Sequence, residues 1–293
     1  MRLVQKCIFS CIIITTIIMC AACNTTEPKW VCSVLTGENS YSSKDVTMEN
    51  TQDWEIWNQG YYTSDDAPKE KTISFNGTVY TGSYIWSICA TGSGIIKDYY
   101  QANNSEANFL EFGVNRETGE LTGINFVTKN YYKQNAEADV LEQVDSALPK
   151  LASTWASYFI DTDKYVMRLH RTIPQTDPEM TTYVNEFVRV VNGLDTTDML
   201  QVMISDRGLL GYIDSRHLGW VEKNERLLKK METLDPDIIV QGTSSITDVT
   251  IEGKRYGITP DGDVVMLVNC SGKVVGKYDN TTAVTMVIWD SAQ

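Results

Sequence analysis

Side chains able to do chemistry are few and scattered along this sequence. There are two histidines: His170 falls in a strand-like alternation with Val166 and Arg168, His217 in a loop-like stretch, and neither has a second ligand at metal spacing. Thr91-Gly92-Ser93-Gly94 lacks the Lys and Ser/Thr pair that closes a phosphate-binding loop and reads as a turn. Asp261-Gly262-Asp263 lacks the alternating carboxylates and distal Glu of an EF-hand loop and reads as a hairpin turn. No G-x-S-x-G elbow occurs, and with 38 acidic residues a notional acid–base pair can be drawn anywhere. The expectation is therefore a non-catalytic protein with no metal site and no cofactor. One group stands apart. Trp54, Trp57, Tyr61 and Tyr62 lie within nine residues, and exposed rings at such density form a ligand platform that stacks on sugars or anchors a protein partner. The plainer reading packs them onto the neighbouring sheet.

These residues need a scaffold, and length and charge bound it. The 293 residues allow about two compact units at roughly 150 residues each, and 42% apolar with 22% charged residues is a globular composition. Net charge −13 repels nucleic-acid phosphate, so nucleic acid is excluded as a partner class.

Location is written in the first thirty residues. Arg2 and Lys6 precede a stretch from Cys7 to Ala22 without a charge. A membrane-spanning helix needs about 20 apolar residues, whereas the core of an export signal needs about 7–15. Basic start, short apolar core and the small residues Ala21 and Ala22 read as a signal peptide over residues 1–22. The run Cys20-Ala21-Ala22-Cys23 resembles the lipobox of bacterial lipoproteins, which implies a diacylglyceryl group, with further acylation, on Cys23 and placement on the extracytoplasmic face of the cell membrane. Two acyl chains suffice for a stable anchor. Processing removes Arg2 and Lys6 and no acid, leaving 23 basic against 38 acidic residues, a net of −15. Among the seven cysteines, Cys32, Cys89 and Cys270 lie beyond the signal and the lipid. An odd number leaves at least one thiol outside any intramolecular bridge. A Cys89–Cys270 disulfide and three unpaired thiols both remain open.

Beyond the anchor, residues 23–50 are polar and aperiodic and are expected to form a flexible stalk. A first antiparallel sheet is expected over 51–132, with a hairpin turning at Asn76-Gly77 and strands alternating through Leu110, Phe112, Val114 and Ile124, Phe126. Residues 133–216 begin with a helix: Leu141, Val144, Leu148, Leu151, Trp155 and Phe159 recur at steps of three and four, interrupted by Pro149, where two helices meet or one kinks. Four strands follow, turning at Asn192-Gly193 and Asp206-Arg207-Gly208. Residues 217–293 open with a helix at about 219–233, ended before Asp235-Pro236, and close with strands. The predicted class is α+β: two or three small antiparallel meanders, each covered by a helix.

The segments 111–124 and 201–213 share a plan of strand, Gly-bearing turn and strand. With the helix before Tyr165 they resemble PepSY-type modules of exported bacterial proteins, and the resemblance implies a helix on an antiparallel sheet that binds a protein partner, a protease among them. Two functions are expected: a lipid-anchored extracytoplasmic protein that binds a protein partner, or a carbohydrate-binding or substrate-capturing surface lipoprotein that uses the Trp54 group. In either case Cys23→Ala is expected to release the protein from the membrane fraction or leave it at precursor mass. Unchanged pelleting and mature mass would remove the anchor.

Overall fold

The computed structural model describes residues 30–35, 40–41, 46–47, 62–89, 94–103, 108–128, 133, 136–176, 179–216, 218–258, 262–276 and 280–291. Strands dominate. β1 (Trp30–Leu35) is followed by a two-stranded ribbon of β2 (Ser40–Tyr41) and β3 (Val46–Thr47). The meander β4 (Glu70–Phe75), β5 (Thr78–Cys89), β6 (Ile96–Asn103), β7 (Asn108–Asn115) and β8 (Leu121–Thr128) leads to helix α1 (Val144–Ala156). A 3-10 turn (Thr162–Lys164) introduces β9 (Tyr165–Thr176), β10 (Glu179–Val191), β11 (Leu194–Ser205) and β12 (Leu210–Arg216). Helices α2 (Trp220–Met231) and α3 (Pro236–Gln241) precede β13 (Ile246–Ile258), β14 (Val264–Val274) and β15 (Thr282–Asp290).

The expected set of small, separate sheets is wrong. All the strands except β2 and β3 join one 13-stranded sheet, in the order β1-β15-β14-β13-β11-β12-β8-β7-β6-β5-β4, with β10 and β9 branching from β11. Three joints weld the meanders. β12 pairs antiparallel with β8, β11 meets β13 in parallel at Asp195↔Arg255, and β1 pairs with β15 from Trp30↔Asp290 to Leu35↔Thr285. Alternation in a sequence reports which face of a strand is apolar; it carries no information about the neighbour at its edge. The β7–β8 and β11–β12 hairpins, whose likeness drew attention in the sequence, are thereby brought side by side. Part of the segment expected to be a stalk, residues 30–35, is the edge strand β1.

Side-chain packing divides into two cores. The first holds Phe75, Tyr100, Phe112, Ile124, Leu200, Val202, Ile204 and Ile213, so the sheets expected over 51–132 and 133–216 share it. Its lid is α1, which runs unbroken through Pro149 and buries Leu148, Ala152 and Ala156. Trp155 stacks on Phe75 at 5.6 Å, pinning the end of the helix to β4 next to the Asn76-Gly77 turn, where both residues have positive φ. The second core gathers Trp220, Leu228 and Met231 of α2, Val240 of α3 and the inner faces of β13, β14 and β15. Asp235 does end the preceding helix region, but it also starts α3: its carboxylate accepts from the N–H groups of Asp237 and Ile238, and Pro236 fills the first turn where no N–H is needed.

A buried ion pair joins the first meander to the second. Lys97 on β6, only 1% exposed, reaches Asp214 Oδ1 on β12 at 2.8 Å and also donates to the Ser215 carbonyl. That carbonyl lies just past the last β8–β12 register pair, Asp214↔Gly123, so the ammonium serves a backbone group beyond the end of the ladder. Gly123 makes room: a Cβ there would lie 3.0 Å from the Ile213 carbonyl oxygen and 3.1 Å from Asp214 Oδ1. Lys97→Met strands Asp214, which is 17% exposed, and is expected to cost about 3–5 kcal/mol in urea unfolding. Adding Asp214→Asn to that variant should restore part of the loss; if the double variant is as unstable as the sum of the single ones, the pair is not coupled.

Candidate functional site

A cavity of about 430 Å³ opens where the first core ends and α2 begins. Four parts of the chain build its wall. The β7–β8 turn supplies Glu117 and Glu120, shaped by Asn115, whose Oδ1 accepts from the N–H groups of Glu117 at 2.9 Å and Thr118 at 3.2 Å. The segment after α1 supplies Ile160, Asp161, Lys164 and Tyr165; β10 supplies Arg189; and the start of α2 supplies Gly219, Glu222 and Lys223. Gly219, at φ +84°, caps α2 without a side chain, and the start of that helix is met instead by carboxylates from elsewhere: Asp198 accepts from the Gly219 N–H, and Glu222 stands in the first turn.

Beneath this wall Asp198, fully buried on β11, accepts from the Tyr165 hydroxyl at 3.0 Å and from the Gly219 N–H at 3.2 Å. Burial pushes its carboxyl up to about 7 despite the opposing Tyr165 hydrogen bond, with Glu222 raising it further and Arg189 lowering it. Burial likewise pushes the Tyr165 hydroxyl up, and the Asp198 charge adds to it. Such a phenol is held neutral, the reverse of a tyrosine activated for proton transfer. The carboxyl ties the start of β9 and the start of α2 to β11. Arg189 lies over the Tyr165 ring at 5.7 Å and donates to the Lys164 carbonyl at 3.4 Å, while its Nε is buried with no partner among the described residues.

The residues singled out by the sequence lie elsewhere. Cys23, Trp54, Trp57 and Tyr61 fall outside the described residues, as does His217. Tyr62 is exposed and makes a two-residue bridge with Ser87, its N–H donating to Ser87 O at 3.1 Å and its carbonyl accepting from Ser87 N–H at 2.8 Å. Next to it lies a buried network in which Ser87 Oγ donates to Asp98 Oδ1 at 2.7 Å and Arg116 forks onto Asp98 at 2.6 and 3.0 Å. Asp98 is thus neutralised by a bidentate cation, which fits a structural tie. Cys270 is buried in the second core and Cys32 half-buried beside it; the Cys89–Cys270 bridge left open by the sequence is not formed. Among the described residues no group of three potential ligands forms a metal site. One residue behind the cavity wall had a readable signal: Asp198 occupies the inward phase of Asp198, Leu200, Val202, Ile204, where a charge is out of place. Lys164, Arg189 and Lys223 had none.

No protein-family model and no curated protein matches the chain. Among solved structures, the crystal structure of MucB is 10% identical over 76% of this chain and 86% of that one, with a TM-score of 0.14. MucB in complex with MucA(peri) is 12% identical over 75% and 85%, with a TM-score of 0.12. At these TM-scores the overlays decide neither the fold nor the function of this chain.

The Asp198 carboxyl generates a pH dependence with a definite sign. Its folded value of about 7 lies above the ordinary 3.8, so between them the unfolded chain releases a proton that the folded chain keeps. Stability therefore falls as pH rises from about 4 to about 7 and levels off above, by a few kcal/mol. Asp198→Asn removes this contribution, and its thermal midpoint should lose that part of the wild-type fall. Parallel midpoint curves for the two proteins between pH 4.5 and 8 would refute the assignment.

Proposed function

We propose that this is a lipid-anchored, non-catalytic protein of the extracytoplasmic membrane face that binds a protein partner by strand addition along β9. One observation carries the reading: β9 is 12 residues long and, among the described strands, pairs with β10 alone, leaving on its outer side a row of backbone donors and acceptors broken only at Pro174. The other sheet ends, β1 and β4, have six residues each. An extended peptide gains main-chain hydrogen bonds from such an edge whatever its sequence, and side-chain pockets supply the selection.

The edge is guarded against its own kind. Arg168 and Arg171 are exposed on it and Pro174 removes one donor, devices that discourage two copies from pairing. Arg168 is held by Asp195 at 2.7 Å, so it is Arg171, on a strand without an acidic residue, that favours an acidic or neutral partner. Anchorage fits the same picture. Only six residues separate Cys23 from Trp30, the first residue of β1, so the sheet is held within roughly 25 Å of the lipid headgroups. Among the described residues no helix is long and apolar enough to cross a membrane.

Photo-crosslinking side chains placed at Val166 and Arg171 on β9, and at Thr72 on β4 as a control, test the reading in intact cells. A discrete protein adduct from the β9 positions and none from β4 is the expected outcome. Adducts equal at the three positions, or absent from β9, would overturn it.

A further inference from the structure

The cavity and the edge strand meet at one residue. Tyr165 is the first residue of β9 and also part of the cavity wall, with Lys164 immediately before it and Arg189 opposite it in the β9–β10 register. A strand added antiparallel to β9 runs toward Tyr165 and leaves its C-terminal end there.

What waits at that end is a wall of both signs: Glu117, Glu120, Asp161 and Glu222 stand with Lys164, Arg189 and Lys223, and Lys164 is paired to Asp161 at 3.3 Å, whereas the partners of Arg189 and Lys223 are loosely held. Arg189 is 16% exposed and fixed over the Tyr165 ring, but its nearest carboxylate, Glu222, lies 3.7 Å away and is 62% exposed. Lys223 is likewise 3.7 Å from Glu117, which is 78% exposed. Both distances exceed a hydrogen bond, and both acids can swing into water while Arg189 stays in place. The start of α2 joins the same wall, with its Gly219 N–H given to Asp198 and Glu222 in its first turn. Thr122, almost completely buried, also lines the cavity, and its hydroxyl has no partner among the described residues.

We propose that the segment added to β9 is the free C-terminus of a polypeptide, running antiparallel to β9, with its α-carboxylate in the cavity against Arg189 and Lys223. The inference rests on strand addition at β9 and names the chemistry of the partner's end. An ammonium terminus is the poorer fit, because Arg189 is largely buried and held over the Tyr165 ring, whereas Glu222 and Glu117 are largely exposed.

The test uses the purified mature protein immobilised on a resin and a pool of random-sequence decapeptides, made once with free C-terminal carboxylates and once as C-terminal amides. The free-acid pool should be retained at least tenfold more strongly than the amide pool. Arg189→Gln should bring that ratio to about one while leaving retention of the amides unchanged, which also shows that the variant is folded. Lys223→Gln, on the helix surface, should lower the ratio at least threefold and serves as the deciding variant if Arg189→Gln fails to fold. Equal retention of the two pools by the wild type would overturn carboxylate capture and leave strand addition standing. Retention of neither pool would overturn both.

Discussion

The architecture depends on a handover along β11. From Met199 to Ile204 one edge of this strand is taken by β12, and at Asp195 the strand meets β13 instead. A strand edge offers one row of hydrogen-bonding groups, so β12 and β13 cannot both occupy it, and the chain has to diverge between these points. The two cores follow from that divergence: Leu200, Val202 and Ile204 face the first, and Leu194 packs against the second. Asp198 sits in the gap. Its two oxygens accept from Tyr165 and Gly219, the residues that begin β9 and α2, so one buried carboxyl ties together the elements that leave the fork. The cavity lies on the far side of those two residues, both of which line it.

Buried charges elsewhere serve the same end of fixing neighbours. Lys97 and Asp214 join β6 to β12 across β7 and β8, and Arg116 locks Asp98 to Ser87 at the other side of the first meander. Such pairs add little net stability when weighed against apolar replacements, but a register shift would strand each charge without its partner. In a sheet this wide, where a slip of one residue would turn every side chain to the wrong face, that penalty is useful.

Much of the local structure was legible. Asn76-Gly77 and Asn192-Gly193 mark hairpin turns because their positive φ angles suit those residues, and the stripe through Leu148, Leu151 and Trp155 marks α1. The order of strands was not legible, because the β8–β12 and β11–β13 contacts leave no period in the sequence. β1 was hidden for a different reason: Trp30–Leu35 is short and follows a polar run, and only its partner β15, about 250 residues away, makes it a strand. Asp235-Pro236 marks an ending in the sequence, and the same pair also begins α3. At the cavity, Asp198 stood out as a charge in an inward phase, whereas Lys164, Arg189 and Lys223 belong to separate elements that only the fork brings together.

The molecule is a broad sheet with one long open edge, β9, that ends at a cavity lined by charges of both signs. Backbone amide exchange along β9, with the decapeptide pool present at saturation and absent, measures strand addition directly. Alternate amides of Tyr165–Thr176 should slow at least tenfold with the pool, while those of Glu70–Phe75 stay unchanged. Unaltered exchange along β9 under saturation, or protection confined to other strands, would contradict the account.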